Sequence, residues 1–352
     1  MKSLRLLLLG IMCLFVVFSC KKDDKPTLTG VWKDCVFVVN EGQYQSGVGT
    51  VMAFNRNTKE ISGDLFESVN GRPLGNVVQS MYVKDNLGYI LVGNSLKIEV
   101  VTLEDFKSVA TIDNINGIPR YMAISGNKAF VSCWQNLVHV IDLNTNQIID
   151  SIHVGNGPDE MVISGEFLYV VNSGGFVSDS TVSFFNINNK EIIGRIEVGI
   201  RPSGIVKDYA GDLWVLSSGN GWNGYPDGTD TKGKLVCIDP SSNQITLQLD
   251  FPATDMHPEH LIISGDGKTL YYAYPGGIYR VSVDDPSLAT EPFIPSSVMY
   301  YALGFDPVVN MIYASDPLDY TQNGIIQRFD AYNGSAVDSF EGGVIPTFFL
   351  FN

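Results

Sequence analysis

Apolar and polar positions alternate along most of this chain in short runs, roughly 4–8 residues long, separated by clusters of Gly, Asn, Asp and Ser. A period of two reads as β-strand, and the punctuation between runs reads as hairpin turns. The arrangement repeats: "GIPRYMAISGNKAFVSCW" (117–134), "NGPDEMVISGEFLYVVNSGG" (156–175), "IRPSGIVKDYAGDLWVLSSG" (200–219) and "MHPEHLIISGDGKTLYYAYPGG" (256–277) share one plan. Each holds a Pro, a few variable residues, an apolar run, a polar Gly turn and a second run rich in β-branched and aromatic residues. A third run follows in each, such as "LVHVIDLNTN" and "TVSFFNINN", and in most a fourth, such as "IIDSIHV" and "ITLQLDF". Four strands per unit of about 40–50 residues predict a β-propeller blade.

Aligned on the Pro position, the units begin at Val78, Pro119, Pro158, Pro202, Pro258, Met299 and Pro346, at intervals of 41, 39, 44, 56, 41 and 47 residues. Seven such positions predict an all-β, seven-bladed β-propeller over residues 31–352. The chain starts mid-blade: 35–40 matches a second strand, 49–55 a third and 60–67 a fourth. The missing first strand is supplied by "IPTFFLFN" (345–352), which closes the ring and removes two open edges. A β-sandwich would account for the strands and not for the sevenfold phase.

The N-terminus departs from this pattern. Lys2 and Arg5 precede an apolar run from Leu6 to Phe18, too short to span a bilayer and of the length of a signal-peptide core. It ends in Val17-Phe18-Ser19-Cys20, which resembles a bacterial lipobox; cleavage of residues 1–19 would leave Cys20 to carry the lipid, the alternative being an ordinary signal peptide with a chance Cys. Residues 20–30 then form a polar tether, and Lys21-Lys22-Asp23-Asp24 resembles the surface-export signal of Bacteroidetes lipoproteins. The expected location is therefore the outer membrane, lipid-anchored and facing the exterior. The 23 basic and 38 acidic side chains give a net charge of −15, and removal of Lys2 and Arg5 takes it to −17. Such a chain has no basic face for nucleic acid and is repelled by anionic lipid. Apart from Cys20, the mature cysteines are Cys35, Cys133 and Cys237, an odd and widely spaced set that reads as three strand residues.

Several segments point to a family. "SGDGKTLYYAYPGG" (264–277) resembles the YVTN-type, YncE-like propeller repeat. "VVNEGQYQSGVGTVMAFN" (38–55), "GNVVQSMYVKDNLGYILVGNS" (75–95), "SDPLDYTQNGIIQRFD" (315–330) and "GGVIPTFFL" (342–350) resemble Bacteroidetes surface lipoproteins of the DUF5074 type. That group includes BtuG-like proteins that capture cobamides and pass them to a TonB-dependent outer-membrane transporter. The resemblance implies a cobamide as ligand and that transporter as partner, and it specifies the fold more closely than the ligand.

The loops between second and third strands share a propeller face with the blade-to-blade connections. Three are short (93–95, 134–136 and 275–277), and four are long (41–48, 173–180, 217–233 and 316–324). Each long loop carries an aromatic: Tyr44, Phe176, Trp222 with Tyr225, and Tyr320. The long loops fall on blades 1, 4, 5 and 7, so two neighbouring pairs predict the walls of a cleft for a large, partly flat molecule. The stretch "GNGWNGYPDGTDTKG" (219–233) accounts for the 56-residue interval, and its Trp222 and Tyr225 are the first choice for a ligand lid. The alternative is that these aromatics pack onto their own loops. Nearer the axis, the ends of the second strands supply Asn40, Trp134, Asn172, Ser218 and Asp316, suited to amide or hydroxyl recognition or simply to ending strands. Arg120 and Arg201, beside repeat prolines, can meet a phosphate or carboxylate of a ligand, or pair with local carboxylates.

Catalytic patterns are sparse, and the chain is expected to be no enzyme. His257-Pro258-Glu259-His260 suggests a metal pair, but Pro258 forbids the helix that such a motif needs, and Glu259 and His260 align with Asp159 and Glu160 of the repeat. No Ser elbow, CxxC or phosphate loop is present. The expected function is capture of a cobamide at the loop face, with no intrinsic cofactor or metal. The alternatives are a ferric siderophore, haem or glycan as ligand, or a protein-interaction propeller without one.

Overall fold

The computed structural model describes residues 30–221 and 228–351. The leader, Cys20 and the tether through residue 29 lie outside the described residues, as do Trp222 and Tyr225. Seven four-stranded antiparallel sheets make seven blades, each numbered by its place in the ring. The innermost strands are Pro346–Leu350 for blade 1, then Val78–Lys84, Pro119–Ser125, Pro158–Ser164, Pro202–Lys207, Glu259–Ile263 and Ala302–Asp306 for blades 2 to 7.

The ring closes as the alignment predicts. Pro346–Leu350 pairs with Cys35–Asn40, placing Leu350 opposite Phe37 and Phe349 opposite Val38. The neighbouring seam between blades 7 and 1 holds Val36, Val38, Phe54, Tyr313, Ile326 and Phe349 in one apolar cluster. Phe54 stacks on Phe340 with centroids 4.1 Å apart. Beside it, Arg56 Nε donates to Asp306 Oδ2 at 2.6 Å in a buried ion pair. Losing one partner of such a pair leaves an uncompensated buried charge, at a cost of about 3–5 kcal/mol.

The apolar patterning follows distance from the axis. Second strands such as Cys35–Asn40 are flanked by strands on both sides and by blades on both faces, so all six positions are buried. The outer strand Gln244–Asp250 alternates exposed and half-buried positions, because one face of its pleat meets solvent. The described core divides into seven clusters, one per blade interface; Tyr89, Leu91 and Val100 of blade 2, for instance, pack with Met122 and Val131 of blade 3. Cys35, Cys133 and Cys237 are free and buried.

One expected strand gives way to a helix. Of residues 60–67, only Ile61–Ser62 pairs as the fourth strand of blade 1. Asp64 then caps a helix over Leu65–Asn70, its carboxylate accepting from the N–H groups of Phe66 and Glu67. Gly71 ends it at φ +63, donating back to Glu67 O. Asp followed three residues later by Glu, then Gly after Asn70, is a helix start-and-stop signal that outweighed the strand-like "EIS".

Candidate functional site

Each inner strand begins at the face that carries the second-to-third loops, so side chains at the starts of six of the seven strands converge around the axis there. They surround a cavity of about 320 Å³ lined by Gln79, Arg120, Asp159, Ser203, Glu259 and Thr347 from the strand starts, with Glu41, Tyr121, Trp134, Arg201, His260 and Tyr301 completing the wall. The channel continues inward past Tyr121, Glu160, His260, Phe348 and Phe349 through a second space of about 310 Å³. It opens at the opposite face into a larger cavity of about 570 Å³ walled by Tyr82, Ile263, Phe305, Pro307, Leu350 and Phe351.

Much of the loop-face mouth is tied into one network. Arg120 Nε donates to Asp159 Oδ1 at 2.9 Å, and Arg120 Nη1 donates to Gln79 Oε1. Its guanidinium lies 4.2 Å from the centre of the Trp134 ring, whose Nε1 also donates to Asp159 Oδ1 at 3.2 Å. Burial works against the Arg120 charge, but Asp159, together with Tyr121 and Glu41, outweighs it and holds the group above its ordinary value. Burial raises the Glu41 carboxyl, against the pull of Arg120, and Tyr301 Oη donates to Glu41 Oε2 at 3.2 Å. Deeper in, burial, opposed by a hydrogen bond from the Ile205 N–H at 3.1 Å and assisted by Asp159, pushes Glu160 up to about 8. Burial lowers His260, whose Nε2 is 3.5 Å from Glu259 Oε2. His260 has φ +58, an uncommon conformation for a residue with a Cβ and one that concentrates at functional sites.

The sequence-predicted residues end in different places. Arg120, Trp134, Arg201 and Ser218 line the mouth. Phe176 and Tyr320 rise beside it: Phe176 meets Trp134 edge-on at 5.3 Å, and Tyr320 meets Tyr301 edge-on at 5.7 Å. Both are about half or more exposed, at 66% and 49%, so they present ring surface to solvent rather than packing wholly onto their own loops. Tyr44 is 64% exposed on its loop and does not line the cavity.

The expected ring at the second-strand ends forms only in part: Trp134 and Ser218 reach the mouth, whereas Asn40, Asn172 and Asp316 do not line it. Asn40 and Asn172 are buried inside their blades. Asn40 Nδ2 donates to Thr50 Oγ1, and its Oδ1 accepts from the Gly343 N–H. Asn172 Nδ2 donates to Thr181 and Ser183 hydroxyls. Asp316 accepts from the Leu318 N–H in a turn, as the strand-ending alternative predicts. The reason is topological: Asn40, Asn172 and Asp316 end second strands, one layer out from the axis, whereas Trp134 and Ser218 lie one residue past theirs.

Arg120 belongs to a ring one residue after the aligned position, whose other members, Gln79, Asp159, Ser203, Glu259 and Thr347, sequence reasoning missed. The aligned sequences carry its signal. That column is polar in six blades, whereas two columns later stand Met81, Met122, Met161, Ile205, Leu261, Ala302 and Phe349, all apolar. His257 turns Nδ1 to the Ser218 carbonyl at 2.9 Å, away from a shared site with His260. Among the described residues, no three His, Cys, Asp or Glu side chains gather as metal ligands.

Comparison with known proteins agrees with the architecture. The structure is similar to hydrazine synthase of Kuenenia stuttgartiensis, at 15% identity and a TM-score of 0.60 over 77% of this chain and 88% of that one. It is also similar to the computationally designed Ika8 protein, at 11% identity and a TM-score of 0.58 over 88% and 89% of the two chains. At these identities the likeness concerns the fold alone. No curated protein matches the chain. Residues 34–352, the whole ring, match the family described as "Domain of unknown function (DUF5074)", and the chain belongs to that family.

Proposed function

We propose that this propeller captures a large small-molecule ligand at its loop-face mouth, foremost a cobamide, and passes it to a TonB-dependent transporter while lipid-anchored at Cys20 on the cell exterior. The observation that carries the reading is the mouth itself. Amide, hydroxyl and charged groups from successive blades ring one axial cavity, beneath the exposed rings of Phe176 and Tyr320. A cobamide offers a matching surface: a broad ring system edged with amides, which exchange hydrogen bonds with Gln79, Ser203 and Thr347, and flat faces that suit aromatic walls. The mouth's acids are engaged, Asp159 with Arg120 and Glu41 with Tyr301, which favours holding a ligand over proton transfer. The ligand brings its own cobalt, so this reading calls for no protein metal site.

The test is titration of the soluble protein, from Lys21 onward, with cyanocobalamin, haem and a ferric siderophore, followed by tryptophan fluorescence and calorimetry. Cyanocobalamin is expected to bind saturably with one ligand per chain. Silence at micromolar cyanocobalamin removes the cobamide, and saturable haem or siderophore binding in its place reassigns the ligand. Cyanocobalamin binding that survives deletion of 221–229 takes the longest loop out of the site.

A further inference from the structure

The two mouth arginines, one just after a repeat proline (Arg120) and one just before (Arg201), differ in the structure. Arg120 is engaged by Asp159, Gln79 and the Trp134 ring. Arg201 also lines the cavity, half-buried, yet its guanidinium has no ion pair, hydrogen bond or ring contact among the described residues. Its backbone, in contrast, is held on both sides: Arg201 N–H donates to Asp179 O at 2.9 Å, and its carbonyl accepts from Ser218 N–H at 2.9 Å. The left-handed turn at Arg201, φ +55, recurs at Val77, Gly157 and Ile345 in the same blade position, so it belongs to the repeat. A side chain with many rotamers therefore stands on a fixed base with its charge unspent.

The lack of a partner is conspicuous in so acidic a chain, and the nearby carboxylates account for it. Asp179, whose own carbonyl holds Arg201, spends its carboxylate on the N–H groups of Asn156, Ser180 and Thr181 and on the Thr181 hydroxyl. Asp159 is taken by Arg120 and Trp134, Glu41 by Tyr301, and Glu259 faces His260. Ser203 and Ser218, whose hydroxyl oxygens are 3.0 Å apart, line the same wall. A planar guanidinium beside hydroxyl groups, inside a cavity that screens it less than bulk water does, is suited to bidentate recognition of an oxyanion.

We infer that Arg201 is the anchor for an anionic oxygen group of the captured ligand, a phosphodiester or a carboxylate, while Arg120 serves the wall. This rests on the loop-face mouth being the ligand site. For a cobamide the anchored group is the phosphodiester of its nucleotide loop, which cobinamide lacks.

The test compares cyanocobalamin and cobinamide binding to wild type, Arg201→Gln and Arg201→Lys by calorimetry. Arg201→Gln is expected to weaken cyanocobalamin about 10–100-fold, the range for a hydrogen bond to a charged group, and to leave cobinamide within about twofold. Arg201→Lys keeps a point charge without the fork and is expected to fall between. All three proteins are expected to melt at the same temperature without ligand, since the Arg201 side chain carries no contact that holds the fold. An unchanged cyanocobalamin affinity in Arg201→Gln, or an equal loss for cobinamide, overturns the assignment. A second arm remains decisive if wild type binds no corrinoid, the outcome that removes the cobamide reading alone. Melting temperatures are then taken in inorganic phosphate and in acetate at matched ionic strength. Greater stabilisation of wild type than of Arg201→Gln by either anion upholds the oxyanion anchor, phosphate or acetate naming its class, and equal stabilisation by both anions overturns it.

Discussion

At the loop face, the inner strands start on Gln79, Arg120, Asp159, Ser203, Glu259 and Thr347; at the opposite face, the same strands finish around Tyr82, Ile263, Phe305, Leu350 and Phe351. The first mouth is polar and its acids and Arg120 are cross-linked, with one guanidinium left over. The second is wider and mostly apolar, with Lys207 and Asp266 at its wall. The difference shows how a repeat separates two tasks along one strand. Residues at a strand's start can vary in chemistry because they meet a cavity, whereas those further along are constrained by the packing of adjacent blades. Phe305 illustrates the second condition, lying 6.0 Å from Tyr271 in a stacked arrangement across the interface of blades 6 and 7.

The largest expected effect comes from removing the element that both mouths share. Pro346–Leu350 supplies Thr347 to the polar end and Leu350, with the following Phe351, to the apolar end. Deleting 345–352 uncovers the edge of Cys35–Asn40 and takes Phe349 from the seam between blades 7 and 1. We expect loss of the cooperative thermal transition in circular dichroism together with aggregation through the freed edge. A deletion variant that melts cooperatively would mean that six blades and a remnant suffice.

Single substitutions should separate the ends. Phe305→Ala is expected to cost about 3–5 kcal/mol in chemical denaturation, as for truncation of a packed aromatic, and to leave the affinity of the ligand proposed for the loop face unchanged. Trp134→Ala, at a half-buried position, is expected to cost about 1 kcal/mol of stability but to weaken that ligand more than about tenfold, as for an aromatic binding anchor. If both variants lose ligand equally, the channel acts as one site, and the contrast between its ends has no functional meaning.

The sequence carried the blade count, the phase and the closure because hairpin turns and buried strand pairs impose local patterns that recur seven times. It was misleading at 60–67, where a cap at Asp64 turned a short alternating run into a helix. The site was legible in part. Trp134, Arg120 and Arg201 follow from the repeat geometry, but Asn40 and Asn172 carry the same polar signature as a site residue while serving the interior of a blade. The division of roles between the arginines was not legible. It depends on Asp159 standing 39 residues from Arg120 in sequence and in hydrogen-bond contact in space.

The smallest effect tests the middle of the channel, where the polar end gives way to the aromatic one. Glu160 has an ordinary value of 4.5, and burial, with Asp159 beside it, moves it to about 8 in the folded protein. Between those values the folded protein keeps a proton that the unfolded chain has released, so this group makes stability fall as pH rises through the window. Below about 4.5 both states are protonated, and above about 8 both are ionised, so the contribution is flat on either side. Glu160→Gln keeps an acceptor for the Ile205 N–H and cannot ionise. Its melting temperature should therefore draw level with wild type near the acid end, exceed it increasingly from about pH 4.5 to 8, and run parallel above. His260, held low by burial, acts in the opposite sense, but it is common to both proteins and largely cancels in the difference. Phe305→Ala, which removes no charge, supplies the contrast: its offset from wild type should be much the same at every pH. A Glu160→Gln offset equally flat would mean that this carboxylate is as well solvated in the channel as in the unfolded chain, and that the polar character of the loop-face mouth extends past Glu160 toward Phe348 and Phe349.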